Sequence, residues 1–429
     1  MMRLMCLYDM KWLLLVMCAG LFIAGCTGAV EVMPDYVPAV QDVVAEPELP
    51  IEAETEIEAD EERLMAPGQL GLHYIHYIST NFPARSAFTY VEKATAHWIA
   101  AELERLGHPA DHIRIQAFSY DDFNYQAEAH GLGLNPVRWA HVTSPFILGH
   151  GREYQLRQDR VSQNVILTVP GQSPYTIKVI AHYDSPPYAS ASDNASGVAM
   201  LLESTAGILD MDHYYTIQYV FLGAEEVGLI GAFWYYHMMT PAEHDHLRLV
   251  INGDVLIEGP YLVYGAGSLP PLEREDLYQK LRNDINRDFL QTAPVEMIML
   301  HAINSAHIQP QTDEITDFIS QLADDHPAHF YSVPKAAAFP SDQQAFLFGG
   351  HRVLTLAGFE KYENLQNIPD EFLLQMGRRG RFLGDFALTV LHSPLDDFYV
   401  IEEIWPGMMA ANMEAFATLL TSILTSRLY

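Results

Sequence analysis

Three apolar runs of this chain each stop on residues that carry charge or bind metals. Residues 175–181 end at His182, residues 215–222 lead into Gly223-Ala224-Glu225-Glu226, and residues 247–251 lead into Asn252-Gly253-Asp254. Short runs rich in Val, Ile, Tyr and Phe, bounded by polar residues, read as strands buried on both faces. Helical spacings separate them, at 196–209 and 229–239. Residues 88–106 carry Val91, Ala94, Trp98, Ile99, Leu103 and Leu106 at helical intervals and are closed by Gly107, a helix with its stop signal. Residues 162–171 and 353–356 read as further strands, and 402–424 as a closing helix. Strands alternating with helices require a mostly parallel sheet covered on both faces, an α/β fold. In such folds ligands bind at the carboxyl ends of strands. His182, Glu225, Glu226 and Asp254 are therefore expected at one site.

The 429 residues are 49% hydrophobic, enough for a substantial core. A net charge of -31 repels phosphate and argues against nucleic acid as a partner. The acid is uneven: residues 1–66 hold thirteen acidic residues against three basic ones, yet the remainder is still acidic. The three cysteines are Cys6, Cys18 and Cys26, and none follows from Thr27 to Tyr429. The folded part therefore has no disulfide and no thiolate ligand, and His, Asp and Glu must hold any metal.

The N-terminal apolar run, residues 12–24, is too short for a comfortable membrane span but fits the core of a signal peptide. Its end, Ile23-Ala24-Gly25-Cys26, resembles the bacterial lipobox, whose cysteine is lipidated and becomes the first mature residue. The resemblance implies a lipoprotein signal over 1–25, a lipid anchor at Cys26 and an extracytoplasmic place in the cell envelope. Thr27, in place of a retention aspartate, leans towards the outer membrane. Asp9 is out of place in a basic leader, so Met10 makes a tidier start than Met1. Residues 26–66 are rich in Pro, Val and Glu and read as an acidic disordered tether. The catalytic domain is expected over 67–429, with a less regular insertion or lid at 265–340.

Two further motifs bear on the strand-end residues: Ser192-Asp193-Asn194-Ala195-Ser196-Gly197, and Leu391-His392-Ser393-Pro394-Leu395-Asp396-Asp397 far downstream. A hydrolytic zinc site needs neutral imidazoles and carboxylates, an open position for water and a nearby base. A pair of zinc ions about 3.5 Å apart also needs a bridging carboxylate. His182 and Asp254 suit one ion, Glu226 and His392 the other, with Asp193 between them. Glu225 is left over as the general base. Asp184 is placed to accept the second ring N–H of His182 and fix its tautomer, and Asp396 to do the same for His392. His237, His244 and His246 read as a solvated loop, Arg378-Arg379-Gly380-Arg381 as a solvated turn, and Tyr235-Tyr236 and Phe346-Leu347-Phe348 as core.

The blocks His182-Tyr183-Asp184-Ser185, Ser192 to Gly197, Glu225-Glu226-Val227-Gly228-Leu229-Ile230-Gly231-Ala232, Asn252-Gly253-Asp254 and His392-Ser393-Pro394-Leu395-Asp396 resemble the co-catalytic zinc aminopeptidases, a metallopeptidase family with carboxypeptidase and glutaminyl cyclase relatives. The resemblance covers about 85–429. It implies a three-layer α/β sandwich, two zinc ions in the arrangement above, a cis peptide at Asp193-Asn194, and removal of a peptide's N-terminal residue by a metal-activated water with Glu225 as base. The chain departs from the family at Gln343, where Ser-Asp-His is usual, at Ser393 for threonine, and at Leu391, where some relatives carry an oxyanion-stabilising tyrosine. Two enzyme alternatives follow from the same resemblance. One is a single-zinc glutaminyl cyclase using Asp193, Glu226 and His392, against which Glu225-Glu226 followed by Val-Gly-Leu-Ile-Gly-Ala favours the peptidase. The other is a carboxypeptidase. A non-catalytic binding domain on the same fold is disfavoured because no ligand is missing.

Overall fold

Alternation along the central strands sorts their apolar side chains into two layers, and the helices follow from that. Strands β1 (Ile113–Ser119), β2 (Val161–Val169), β3 (Ser173–His182), β4 (Tyr215–Leu222), β5 (Leu247–Gly253), β6 (Tyr261–Gly267), β7 (Phe330–Ser332), β8 (Val353–Lys361), β9 (Arg381–Leu383) and β10 (Phe386–Ala387) join one sheet. The computed structural model describes residues 65–119, 161–269, 310–368, 381–383 and 385–428. The lipobox with Cys26, almost all of the tether, residues 270–309 and Arg378-Arg379-Gly380 lie outside the described residues.

The spatial order is β1-β2-β4-β3-β5-β8-β10-β9, with β6 pairing to β7 and β8. The four central strands β4, β3, β5 and β8 run parallel. The flanking pairs β1–β2, β2–β4, β6–β8, β8–β10 and β10–β9 are antiparallel. The helices are α1 (Gln69–Asn81), α2 (Tyr90–Arg105), α3 (Gly197–Ile208), α4 (Ile230–His237), α5 (Pro241–His246), α6 (Glu314–Asp324), α7 (Gln343–Phe348), α8 (Phe398–Ile404) and α9 (Met408–Thr425).

Ile177, Val179 and Ala181 of β3 share a core with Ile217, Tyr219 and Phe221 of β4 and with α1, α2, α3, α6 and α9. The intervening Ile180 meets Val220, Leu222 and Val250 on the other face, under Ile230, Phe233 and Tyr235 of α4 and Phe346 and Leu347 of α7. A strand with both faces covered is predominantly apolar, and the polar exceptions Lys178 on β3 and Gln218 on β4 meet each other and the Tyr235 hydroxyl. The result is the expected three-layer α/β sandwich with a mixed, mostly parallel centre. Tyr235, Phe346 and Leu347 are core, as read from the sequence.

Three local expectations need correction. The closing helix is two helices, because Pro406 disfavours helical backbone at Trp405, which is non-helical, and Gly407 takes φ 75. The described flanks of the 265–340 region are core rather than lid: β6 pairs along β8, and Ile315, Ile319 and Ala323 of α6 are buried in the larger core. The stretch read as a solvated loop around His244 and His246 is helix α5, opened by a capping box of Thr240 and Glu243.

Candidate metal centre

The ladder sets the strand ends level. His182 on β3 pairs with Leu222 on β4, and Ile180 with Asn252 on β5. The chain leaves all three strands at one edge, and the next residues carry the chemistry: Asp184, then Glu225 and Glu226, then Asp254. Asp193 comes from the turn before α3, through a cis peptide to Asn194, as the resemblance implied. His392 arrives separately, on the loop between β10 and α8. The turns are tight enough to force φ 58 at Ala224, 51 at Val255 and 51 at His392. Such values are uncommon outside glycine and persist only where surrounding structure imposes them.

The five expected ligands converge. His182 Nε2 lies 3.2 Å from Asp193 Oδ1 and 3.3 Å from Asp254 Oδ1. His392 Nε2 lies 3.0 Å from Asp193 Oδ2 and 3.3 Å from Glu226 Oε2. Asp193 thus offers one oxygen to each of two clusters. Glu225 joins from the side, with ligand atoms of His182, Glu225 and Glu226 all within 4.8 Å of one another. Among the described residues, the groups of three or more potential ligands all fall here. His244 instead lies with its Nδ1 3.1 Å from His351 Nε2.

This donor set fits a pair of divalent cations. His182 Nδ1 is 3.1 Å from the Asp184 carbonyl oxygen, a contact that calls for the proton on Nδ1. The Nε2 lone pair of the neutral ring then points at two carboxylates, and the lone pairs repel unless a cation or a proton intervenes. The buried Glu226 Oε1 has no hydrogen-bond partner, although buried polar atoms are normally paired. Two imidazoles and three carboxylates, with no thiolate, are ligands zinc accepts.

The electrostatics agree. Burial opposes charging of both histidines, but the carboxylates around them win and raise His182 and His392 well above the usual range. Against its own burial, the two imidazoles hold Asp193 well below the ordinary carboxylate range. Burial and the neighbouring Asp193 push Glu226 up to about 7. Burial also raises Glu225, with Glu226, Asp342 and Asp254 adding to it and His182 opposing.

Comparison with known proteins agrees with this geometry. Residues 164–299 match Peptidase family M28. That span includes His182, Asp193, Glu225, Glu226 and Asp254. Among curated proteins, the chain is 27% identical over 222 residues to the alkaline phosphatase isozyme conversion protein of Escherichia coli, covering 48% of this chain and 56% of that one. It is 34% identical over 115 residues to the probable lipoprotein aminopeptidase LpqL of Mycobacterium tuberculosis, covering 25% and 23%. The matches therefore span about half, or less, of these relatives' own length. The structure of BSAP, a zinc aminopeptidase from Bacillus subtilis, superposes with a TM-score of 0.53 at 14% identity, over 85% of this chain and 96% of that one. At that identity the likeness is one of fold. The M28 match and the aminopeptidase-named relative support a metallopeptidase hydrolase.

Two acids act differently from expectation. The Asp184 carboxylate accepts the backbone N–H groups of Glu225 at 2.9 Å and Glu226 at 3.2 Å. It stands 3.6 Å from His182 Nδ1, and the closer approach to that ring nitrogen is by its own carbonyl. Asp396, expected to orient His392, serves the backbone instead. Its oxygens accept the N–H groups of Ser192 at 2.5 Å and Asp193 at 3.0 Å. Both acids are four or fewer residues from a histidine in sequence, but a backbone pair across the site offers better donors than a ring edge.

Two residues escaped the sequence reading. Arg85 is fully buried and donates to the carbonyls of Tyr183 at 2.6 Å, Ala189 at 3.0 Å and Ser190 at 2.9 Å. It ties together the loop between His182 and Asp193. Burial lowers its pKa to about 10, against the pull of Asp396, Asp193, Asp184 and Glu226. Asp342 is also fully buried, and neither carboxylate oxygen has a hydrogen-bond partner. The neighbouring Gln343, at the family's usual histidine, accepts from Asn252 at 2.8 Å.

Proposed function

We propose that this chain is a zinc-dependent exopeptidase that removes N-terminal residues from peptides, with His182, Asp193 and Asp254 holding one zinc ion and Asp193, Glu226 and His392 a second. The observation that carries the reading is the shared Asp193, whose two oxygens face different imidazoles at 3.2 and 3.0 Å. When bound, the zinc pair supplies Lewis-acid activation of water and of the scissile carbonyl. The chain's own contribution is to place and move protons. Glu225 is partly exposed, its backbone is fixed by Asp184, and its carboxylate lies beside His182 and Glu226 without being needed as a ligand. Its raised pKa suits a base that takes a proton from the attacking water and returns it to the leaving amine. Asp184 keeps Glu225 and its neighbour Glu226 in fixed relation. Arg85 holds the loop that carries Asp184 and leads to Asp193.

The lipobox and the M. tuberculosis relative, named a probable lipoprotein aminopeptidase, support attachment through lipidated Cys26 to the outer face of a bacterial membrane. The substrate is then an extracytoplasmic peptide or protein N-terminus. Assay of the zinc-loaded protein on free-amine peptides, N-blocked peptides and peptides with N-terminal glutamine tests the class. Cleavage confined to free-amine peptides is expected. Cleavage of blocked peptides, or release of pyroglutamate without peptide cleavage, overturns the aminopeptidase reading.

A further inference from the structure

Asp184 and Asp396 share a pattern: each is a buried carboxylate on one ligand-bearing segment that accepts two consecutive backbone N–H groups on another. A third residue does the same and lies in no sequence motif. Glu258, four residues beyond Asp254 and fully buried, accepts through Oε2 the N–H groups of Thr389 at 2.5 Å and Val390 at 2.8 Å, and the Thr389 hydroxyl at 3.0 Å. The same hydroxyl also donates to the Glu258 carbonyl at 2.7 Å. His392 follows two residues later.

We propose that Glu258 is a positioning residue that sets the His392 imidazole against Asp193 and Glu226, and so governs the affinity of one metal position and not the other. The proposal rests on the zinc reading above. Glu258 belongs to none of the ligand groups, so its effect must pass through the backbone. Its own segment is a rigid platform. Asp254 N–H donates to Leu356 and Gly358 N–H to Val255, both across to β8. Leu256 N–H donates to Ser196 Oγ, and Asn412 of α9 donates to the carbonyls of Leu256 and Gly259.

The His392 loop is held on its far side, where Asp396 accepts from Ser192 and Asp193, and Glu258 holds the near side. There strand β10 is two residues long and ends at Ala387, and His392 itself sits at φ 51 with 35% of its side chain exposed. Buried N–H groups at 389 and 390 need an acceptor, and one Glu258 oxygen takes both, although burial pushes its pKa up to about 7. The other oxygen, Oε1, is left without a partner. A tie made only for stability gains nothing from a buried carboxyl group with a free oxygen. A tie that must hold a metal-binding loop against a fixed platform gains rigidity.

The test is zinc uptake by the zinc-stripped protein in competition with a chromophoric chelator, which resolves two affinities. Glu258→Gln keeps the shape but sets an amide against the loop N–H groups. Its expected effect is about 10- to 100-fold weaker binding at one position, the range for removing an outer partner of a ligand, with the other position changed by less than about threefold. The affinity that falls should be the one that Glu226→Gln also weakens, and not the one that Asp254→Asn weakens. Thr389→Val, which removes only the hydroxyl contacts, should shift the same affinity by less. If both affinities fall together, or neither moves while the melting temperature drops, Glu258 is a structural tie and the proposal fails. If the wild type takes up no zinc, the zinc reading itself fails and takes this role with it.

Discussion

Two populations of buried carboxylate lie within the same sandwich, and they are finished differently. Asp184, Asp396 and Glu203 have oxygens taken up by backbone N–H groups: Asp184 and Asp396 within the site, and Glu203 of α3 at Gly68 and Gly71, at 2.6 and 3.1 Å, where α1 begins. Glu226 Oε1 and both oxygens of Asp342 are buried with no hydrogen-bond partner, and the oxygens of Asp193 face the two imidazoles. Glu258 is mixed, with Oε2 taken up by backbone N–H groups and Oε1 open. The first population spends its charge on folding the chain. The second keeps lone pairs free, which destabilises the protein alone and is relieved by a cation. Changing the open acids should therefore remove function and leave the fold, and changing Glu203, the closed acid away from the site, should cost stability and leave function.

The largest effect is expected at Glu225, beside the open acids. Glu225→Gln keeps size and polarity but cannot accept a proton, so turnover should fall by about 10²- to 10⁴-fold, with zinc content unchanged by metal analysis. A variant that kept wild-type turnover would remove Glu225 from the base role. The smaller effect is at the closed side. Burial raises Glu203 from 4.5 to about 7. The folded state therefore holds a proton that the unfolded state releases between these values, and stability is fully present below pH 4.5 and declines as pH rises to about 7. The decline attributable to this group is on the order of 3 kcal/mol. Glu203→Gln should flatten that part of a pH series of denaturant midpoints while peptidase turnover stays at the wild-type level. Loss of zinc or turnover in that variant would erase the distinction between the two populations.

The residues at the strand ends were the legible ones. His182, Glu225, Glu226 and Asp254 follow apolar runs directly, and a chain leaving a buried strand has few places to put its next side chains. Asp193 and His392 were readable from their motifs. The closed acids were not, because a brace is defined by its acceptor geometry across the fold. Asp184 read as a ring orienter, although its carboxylate serves the Glu225-Glu226 backbone. Glu258 stands before Gly259-Pro260 and looks like part of a turn. Arg85, in Pro83-Ala84-Arg85-Ser86, looks like a surface arginine, yet its donors are consumed by three carbonyls 98 to 105 residues away. The sandwich itself was largely legible, since continuous apolar strands and spaced helices leave little choice of layer arrangement. The break at Pro406 was visible in the sequence and was overridden by the apolar periodicity on either side of it.

The claim on which the rest depends is that one carboxylate, Asp193, serves two metal positions. Counting zinc per chain in the wild type and in Asp193→Ala, after equilibration against a weak chelator, tests it most directly. The account predicts two ions in the wild type and loss of both tight sites in the variant, with the variant still folded. A wild type that holds a single ion, or a variant that keeps one ion at wild-type affinity, would contradict it.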